Sequence, residues 1–291
     1  MSSHDPHHHD DIDWGAMGED IELEGEVLAG FVLDAARTIT DRFAGTPVHS
    51  IVDVGSGPGV GSCILAEAFP DATVIAVDGS EALLARAQAR AERLGLGARV
   101  LTRVGDLGHG LPTTEPVDLV WASMMLHHVH DQEAALVAIR GSLRGGGWLA
   151  IAEFGAPLVC IPPAELDGYA AVLDRCQAAV RDWLPERLPT GPAGPTAQQG
   201  ALQAALERTG FGHVRHTTLT VELPAPLVID ARRFVLQSFT RLREIVEARL
   251  DAADLAKLDE LLDPHNPRGL PTRDDLFVCV GRALTTAQAV E

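Results

Sequence analysis

Apolar residues change their spacing several times along this chain, and each change predicts an element. Leu23, Val27, Leu28, Phe31, Val32, Ala35, Ile39 and Phe43 recur every three to four residues, which predicts an amphipathic helix. Ile51-Val-Asp-Val54 is then a short apolar run ending in glycines, and a helix-compatible stretch follows it as far as Phe69, stopped by Pro70-Asp71. Thr73–Val77 is the next strand candidate. Ser80 opens a helix carrying Leu83, Leu84, Ala87, Ala91 and Leu94, which Gly95 closes. Arg99–Val104, Val117–Ala122 and Trp148–Glu153 are further strands, and between the last two Asp131 caps a helix running to Leu143. These runs lack period-2 alternation and are separated by helices. The pattern predicts parallel strands buried on both faces in a doubly wound α/β sheet.

The second half is less regular. A helical patch (Leu166, Tyr169, Val172, Leu173, Val180) ends in the Pro/Gly stretch Leu188–Pro195, after which Thr196 and Gln199 form a capping box for a helix ending at Gly210. His213–Leu223 alternates as a strand, residues 227–263 read as one or two amphipathic helices, and Leu276–Val280 is a last strand. The count is seven strands with helical insertions after the fifth and sixth. The expected organisation is a polar tail over 1–20, an N-terminal helix and α/β core over 21–155, a cap insertion over 156–195, and the end of the core over 196–291 with a helical insertion at 227–263.

Charge narrows the partners. Lys and Arg number 23 against 41 Asp and Glu in 291 residues, a formal net charge of −18. Such a surface repels phosphate backbones and anionic lipids, so neither nucleic acid nor a membrane surface is an expected partner. The four cysteines, Cys63, Cys160, Cys176 and Cys279, are far apart and predict neither a disulfide framework nor a zinc site. No apolar run is long enough to span a bilayer, and the first residues lack the features of a secretory signal, so the expected location is cytoplasmic. His4, His7, His8 and His9 lie among aspartates and read as a flexible tail, part of a tag, or a metal-binding arm.

The most informative segment is Ile51-Val-Asp-Val-Gly-Ser-Gly-Pro-Gly-Val-Gly61, a strand leading through alternating glycines into a helix. Glycine permits positive φ and close backbone approach, and the helix start presents free N–H groups. A dinucleotide fingerprint would need glycine at 55, 57 and 60, but position 60 is Val. The segment resembles instead motif I of the class I, Rossmann-like S-adenosylmethionine-dependent methyltransferases. The likeness continues in register through Asp78 at the end of the second strand, Val104-Gly-Asp-Leu107 after the third, Asp118–Val129 along the fourth, and Leu143–Glu153 through the fifth. These five motifs cover about a third of the chain, and Gly210-Phe211 extends them.

The resemblance implies a seven-stranded, mostly parallel sheet with a helical N-terminal lid and helical cap insertions. It implies S-adenosyl-L-methionine as cofactor and a small, partly apolar metabolite as methyl acceptor, through O, N or C. It places the cofactor against Gly55, Gly57 and Gly59, with its ribose hydroxyls on Asp78 beside Gly79 and Ser80. The adenine falls to Asp106 between Gly105 and Leu107, and the amino end to the neighbourhood of Asp53. Ser123 stands where the fourth strand opens onto the cofactor, as a backbone contact or a plain loop serine. His127 and His128, in the cluster His127-His-Val-His130, are the candidates for a general base, because imidazole titrates near neutral pH; similar histidines in relatives also serve packing or cofactor shaping. No metal site is expected. Trp14 and Met17 read as lid residues or as scattered apolars, and the helices at 21–43 and 227–263 offer faces for a homodimer. The competing readings are a non-catalytic binding module with the same fold and a nicotinamide-dependent oxidoreductase.

Overall fold

In the computed structural model, which describes residues 13–105, 107, 111, 113, 115–166, 168–187 and 195–290, consecutive residues of the central strands enter two different cores. Ile51, Leu119, Trp121, Ala150 and Ala152 join one apolar cluster, while Val52, Val120, Leu149 and Ile151 join another on the opposite face. Alternation of side-chain direction along a strand produces this split, and it is why the runs are apolar without a gap.

The strands are β1 Ser50–Val54, β2 Thr73–Asp78, β3 Val100–Val104, β4 Val117–Ser123, β5 Leu143–Phe154, β6 Phe211–Leu223 and β7 Val278–Ala289. They form one sheet in the order β3-β2-β1-β4-β5-β7-β6. The pairs among β1 to β5 are parallel, and β7 runs antiparallel between β5 and β6. The order reverses direction at β1 and β4, the switch point where open α/β sheets bind ligands beyond the strands' carboxyl ends. At the opposite, amino ends of these two strands Asp118 ties β4 to β1, its Oδ2 accepting from the backbone N–H groups of His49 (2.7 Å) and Ser50 (2.9 Å).

The helices are α1 Gly18–Val27, α2 Ala29–Phe43, α3 Val60–Ala68, α4 Glu81–Arg93, α5 Gln132–Ser142, α6 Ala170–Arg187, α7 Pro195–Arg208, α8 Ile229–Val246 and α9 Ala252–Leu262. Helices α2, α3, α6, α8 and α9 contribute to the first core and α5 and α7 to the second. Ser80 and Asp131 are N-caps as the sequence predicts, accepting from the N–H of Leu83 and Ala134. Among the described residues no helix is long and apolar enough to cross a membrane.

Several expectations need correction. The stripe from Leu23 to Phe43 folds as two helices parted at Leu28, because α2 packs Phe31, Val32 and Ile39 on the sheet while α1 is drawn aside by ion pairs to α4 and α8. Helix α1 also begins at Gly18, inside the stretch assigned to the polar tail. Helix α7 already includes Pro195, so Thr196 is not its N-cap. Strand β5 begins at Leu143 rather than Trp148, taking in the glycines through an irregularity between Val117 and Leu119 of β4. Strand β7 covers 278–289 rather than 276–280, since its polar Arg282, Thr285 and Thr286 are covered by flanking strands. Residues 188–194 of the Pro/Gly stretch, the histidines of the N-terminal tail and Asp106 lie outside the described residues.

Candidate active site

The glycine loop leaves β1 as a tight turn held to the neighbouring strand, with the N–H groups of Gly55 and Ser56 both donating to the carbonyl of Val77 (2.8 and 3.0 Å). Gly55, Gly57 and Gly59 have φ of +66°, +54° and +78°. Space restricts the loop as much as conformation does. A Cβ on Gly55 would stand 2.6 Å from Met125 Cβ, and one on Gly59 2.6 Å from Ala87 Cβ and 2.8 Å from its Cα. Helix α3 starts directly behind, so its first N–H groups face the loop.

Asp78 closes the loop from β2. Its Oδ2 accepts from the N–H of Gly57 and its Oδ1 from that of Ser80, both at 2.9 Å. A carboxylate oxygen takes two donors, so each keeps an acceptor direction open, which suits a pair of neighbouring hydroxyls. Gly79 is exposed beside it, and the Ser80 hydroxyl is occupied as the cap of α4. The N–H of Gly105 donates to the Asp78 carbonyl (3.1 Å), which brings the end of β3 to the same place, with Leu107 buried beyond it. Ser56 Oγ, buried within the loop, meets no hydrogen-bond partner among the described residues. These groups fit the ribose and amino-acid portions of an adenosyl cofactor.

Asp53 lies beneath the loop rather than in it. It is 2% exposed and accepts from Ser62 Oγ at 2.5 Å. Burial pushes its carboxyl up to about 7, aided by the nearby Asp78 charge and opposed by the Ser62 hydrogen bond.

The rings of His127 and His128 lie against each other, 4.1 Å apart between centroids, but take different further partners. His127 is buried after β4, its Nδ1 2.5 Å from Glu153 Oε2, and its ring packs on Phe154 at 4.8 Å between centroids. Glu153 is fixed in turn by the N–H of Leu126, which donates to Oε1 at 3.0 Å. A carboxylate on Nδ1 assigns the proton there and leaves Nε2 as the basic nitrogen. His128 instead meets the edge of the Trp14 ring, with centroids 5.2 Å apart, and His130 is exposed. Ser123 is half-buried at the end of β4, next to Met124, whose N–H donates to the Ala152 carbonyl at 2.8 Å. Among the described residues no group of three or more His, Cys, Asp or Glu could hold a metal ion.

The N-terminal segment lies over all of this. A Cβ on Gly57 would meet Ile21 Cγ2 at 3.6 Å. Glu22 pairs with Arg86 (3.1 Å) and Arg90 (2.7 Å) of α4, Glu26 with Arg90, and Glu19 with Arg233 of α8 (2.8 Å). Helix α1 thus bridges the glycine loop to the inserted helices. Sequence reasoning missed Glu153, which stood in it only as a strand end; its spacing of 26 from His127 carries no local signal. It also missed Glu24 and Arg282, which meet across the fold.

A seven-stranded, mostly parallel sheet of this order, with a glycine turn at its switch point and an acid ending the second strand, is a class I methyltransferase fold. Residues 51–147 match the methyltransferase domain family. The chain is 37% identical over 101 residues to a trans-aconitate 2-methyltransferase of Variovorax paradoxus, covering 35% of this chain and 37% of that protein. It is 31% identical to a 27-O-demethylrifamycin SV methyltransferase of Amycolatopsis mediterranei, over 47% and 50% of the two chains. The matches to the first such relatives span 37% and 44% of their lengths. The crystal structure of the Bacillus subtilis YcgJ protein shares the fold, with a TM-score of 0.53 at 13% identity, over 89% of this chain and 99% of that one. Residues 51–147 are thus similar to a methyltransferase domain, carried on a fold shared with class I methyltransferases.

Proposed function

We propose that the protein transfers a methyl group from S-adenosylmethionine to a small, partly apolar metabolite. The observation that carries this reading is the pairing of Asp78 with the glycine loop, which leaves two acceptor directions beside a positive-φ glycine turn. The cofactor, when bound, supplies a sulfonium methyl group for in-line transfer. The protein's part is position, exclusion of water and electrostatics. Gly55, Gly57 and Gly59 admit the cofactor's backbone-facing side, Asp78 holds the ribose, and α1 closes above with Ile21. His127 takes the acceptor's proton on Nε2 where the nucleophile is oxygen or carbon, and Glu153 orients the ring and stabilises the imidazolium. His128 packs with Trp14 as part of the lid.

The test is calorimetric titration with S-adenosylhomocysteine, and separately with NAD. Wild type binds the first and not the second, and Asp78→Ala loses that binding while still folding. Tight binding by Asp78→Ala, or a preference for NAD, overturns the assignment.

A further inference from the structure

One charged side chain near the site has no role in the cofactor cradle. Arg282 of β7 is 6% exposed and lines a cavity of about 190 Å³ beyond the carboxyl end of β5. It sits opposite Phe154 in the β5–β7 register, and Phe154 is the residue against which the His127 ring packs. The chain is shaped to bring it there, since a Cβ on Gly155 would stand 2.8 Å from Arg282 N and one on Gly281 2.6 Å from Ala156 N. Phe154, Pro157, Leu158, Phe234 and Val280 make the other walls apolar, and the remaining charged residue lining the cavity is Glu24 of α1.

The hydrogen bonding of Arg282 is incomplete. One Nη donates to Glu24 Oε1 at 2.7 Å and the other to the Gly281 carbonyl at 3.4 Å. Its Nε–H, also buried, meets no acceptor among the described residues. A buried guanidinium with an unused donor is costly, and its planar fork suits a carboxylate taken in two-point fashion. Glu24 supplies only one oxygen and is itself 39% exposed on its side chain. The other ion pairs tying α1 to α4 and α8, including those to the buried Arg90, involve neither Glu24 nor Arg282, so they hold α1 in place when this pair parts. Glu24 can therefore be exchanged for a better-placed carboxylate without opening the core.

We infer that the methyl acceptor carries a carboxylate beside an apolar group, that Arg282 binds this carboxylate, and that Glu24 on the lid occupies its place until the acceptor arrives. The inference rests on the proposed methyl transfer, with the cavity as its acceptor side. Arg282 is a specificity residue in this scheme, and the carboxylate is a recognition handle whether or not it is also the atom methylated.

The experiment loads the full chain with S-adenosylhomocysteine and titrates phenylacetate against phenylacetamide, which has the same shape without the charge. The expected result is a preference for phenylacetate on the order of tenfold to a hundredfold, the range of a charge-assisted contact. Arg282→Gln abolishes the preference, and Glu24→Gln increases it by removing the internal competitor. Equal binding of the two probes by wild type, or a preference untouched by Arg282→Gln, overturns the inference. Should Arg282→Gln not fold, Glu24→Gln decides, an unchanged preference refuting the exchange. S-adenosylhomocysteine binding is read separately. Its absence removes the methyl-transfer reading itself, whereas its presence without a probe preference removes only the carboxylate assignment.

Discussion

Asp53→Asn isolates the consequence of burying an acid under the glycine loop. The carboxyl has an ordinary value of 3.8 and is pushed to about 7 in the folded protein, chiefly by burial. Between these values the folded state holds a proton that the unfolded chain has released. Stability therefore falls as pH rises through that window, at up to about 1.4 kcal/mol per pH unit, and levels off above about 7. The full penalty of the charged form is on the order of 4 kcal/mol, a large share of the 5–15 kcal/mol of a typical domain. Asparagine keeps the shape, and its Oδ1 can accept from Ser62 as the carboxylate does at 2.5 Å. The assay is urea unfolding of both proteins without ligand at pH 5 and pH 8, compared at equal m-value. The variant should exceed wild type by about 2 kcal/mol at pH 5, where the unfolded chain has already released its proton, and by about 4 kcal/mol at pH 8, because protonated Asp53 and asparagine are close to equivalent within the fold. A stability difference that does not change between the two pH values would refute the argument, as would a wild type more stable than the variant at pH 8.

Gly59→Val combines a φ of +78° with a Cβ 2.8 Å from the Ala87 backbone. It should lower stability by about 2 kcal/mol or more and weaken S-adenosylhomocysteine binding, as thermal melts with and without that ligand would detect. Once an acceptor is found, His127→Gln should reduce kcat by about 10²–10⁴-fold for an oxygen or carbon nucleophile with little change in cofactor affinity. Glu153→Gln should lower kcat by a smaller factor, since it leaves the base but removes the carboxylate that orients it through Nδ1. An unchanged kcat would assign Glu153 to packing alone.

Much of the cofactor side is legible in the amino-acid order alone. The glycine spacing at 55, 57 and 59, the acid at 78 and the caps at Ser80 and Asp131 are local features, each dictated by the backbone geometry of one turn or helix start. The continuous apolar runs likewise identify the strands buried on both faces. The acceptor side is not legible in this way. His127 stands out by its chemistry, but only the parallel pairing of β4 with β5 brings Glu153 to it, and only the course of the N-terminal segment brings Trp14 to His128. Arg282 and Glu24 lie at opposite ends of the chain.

The sequence by itself determined the fold class, the order of the core elements and the residues that shape the glycine cradle, because short-range propensity and periodicity encode them. Only the tertiary structure decided where α1 breaks from α2, which acid orients which histidine, and which cation faces the cavity beyond β5. Those outcomes depend on contacts between segments far apart in the chain. Their partners are chosen by the sheet's crossover order and by competition among buried charges, neither of which has a local spacing to read.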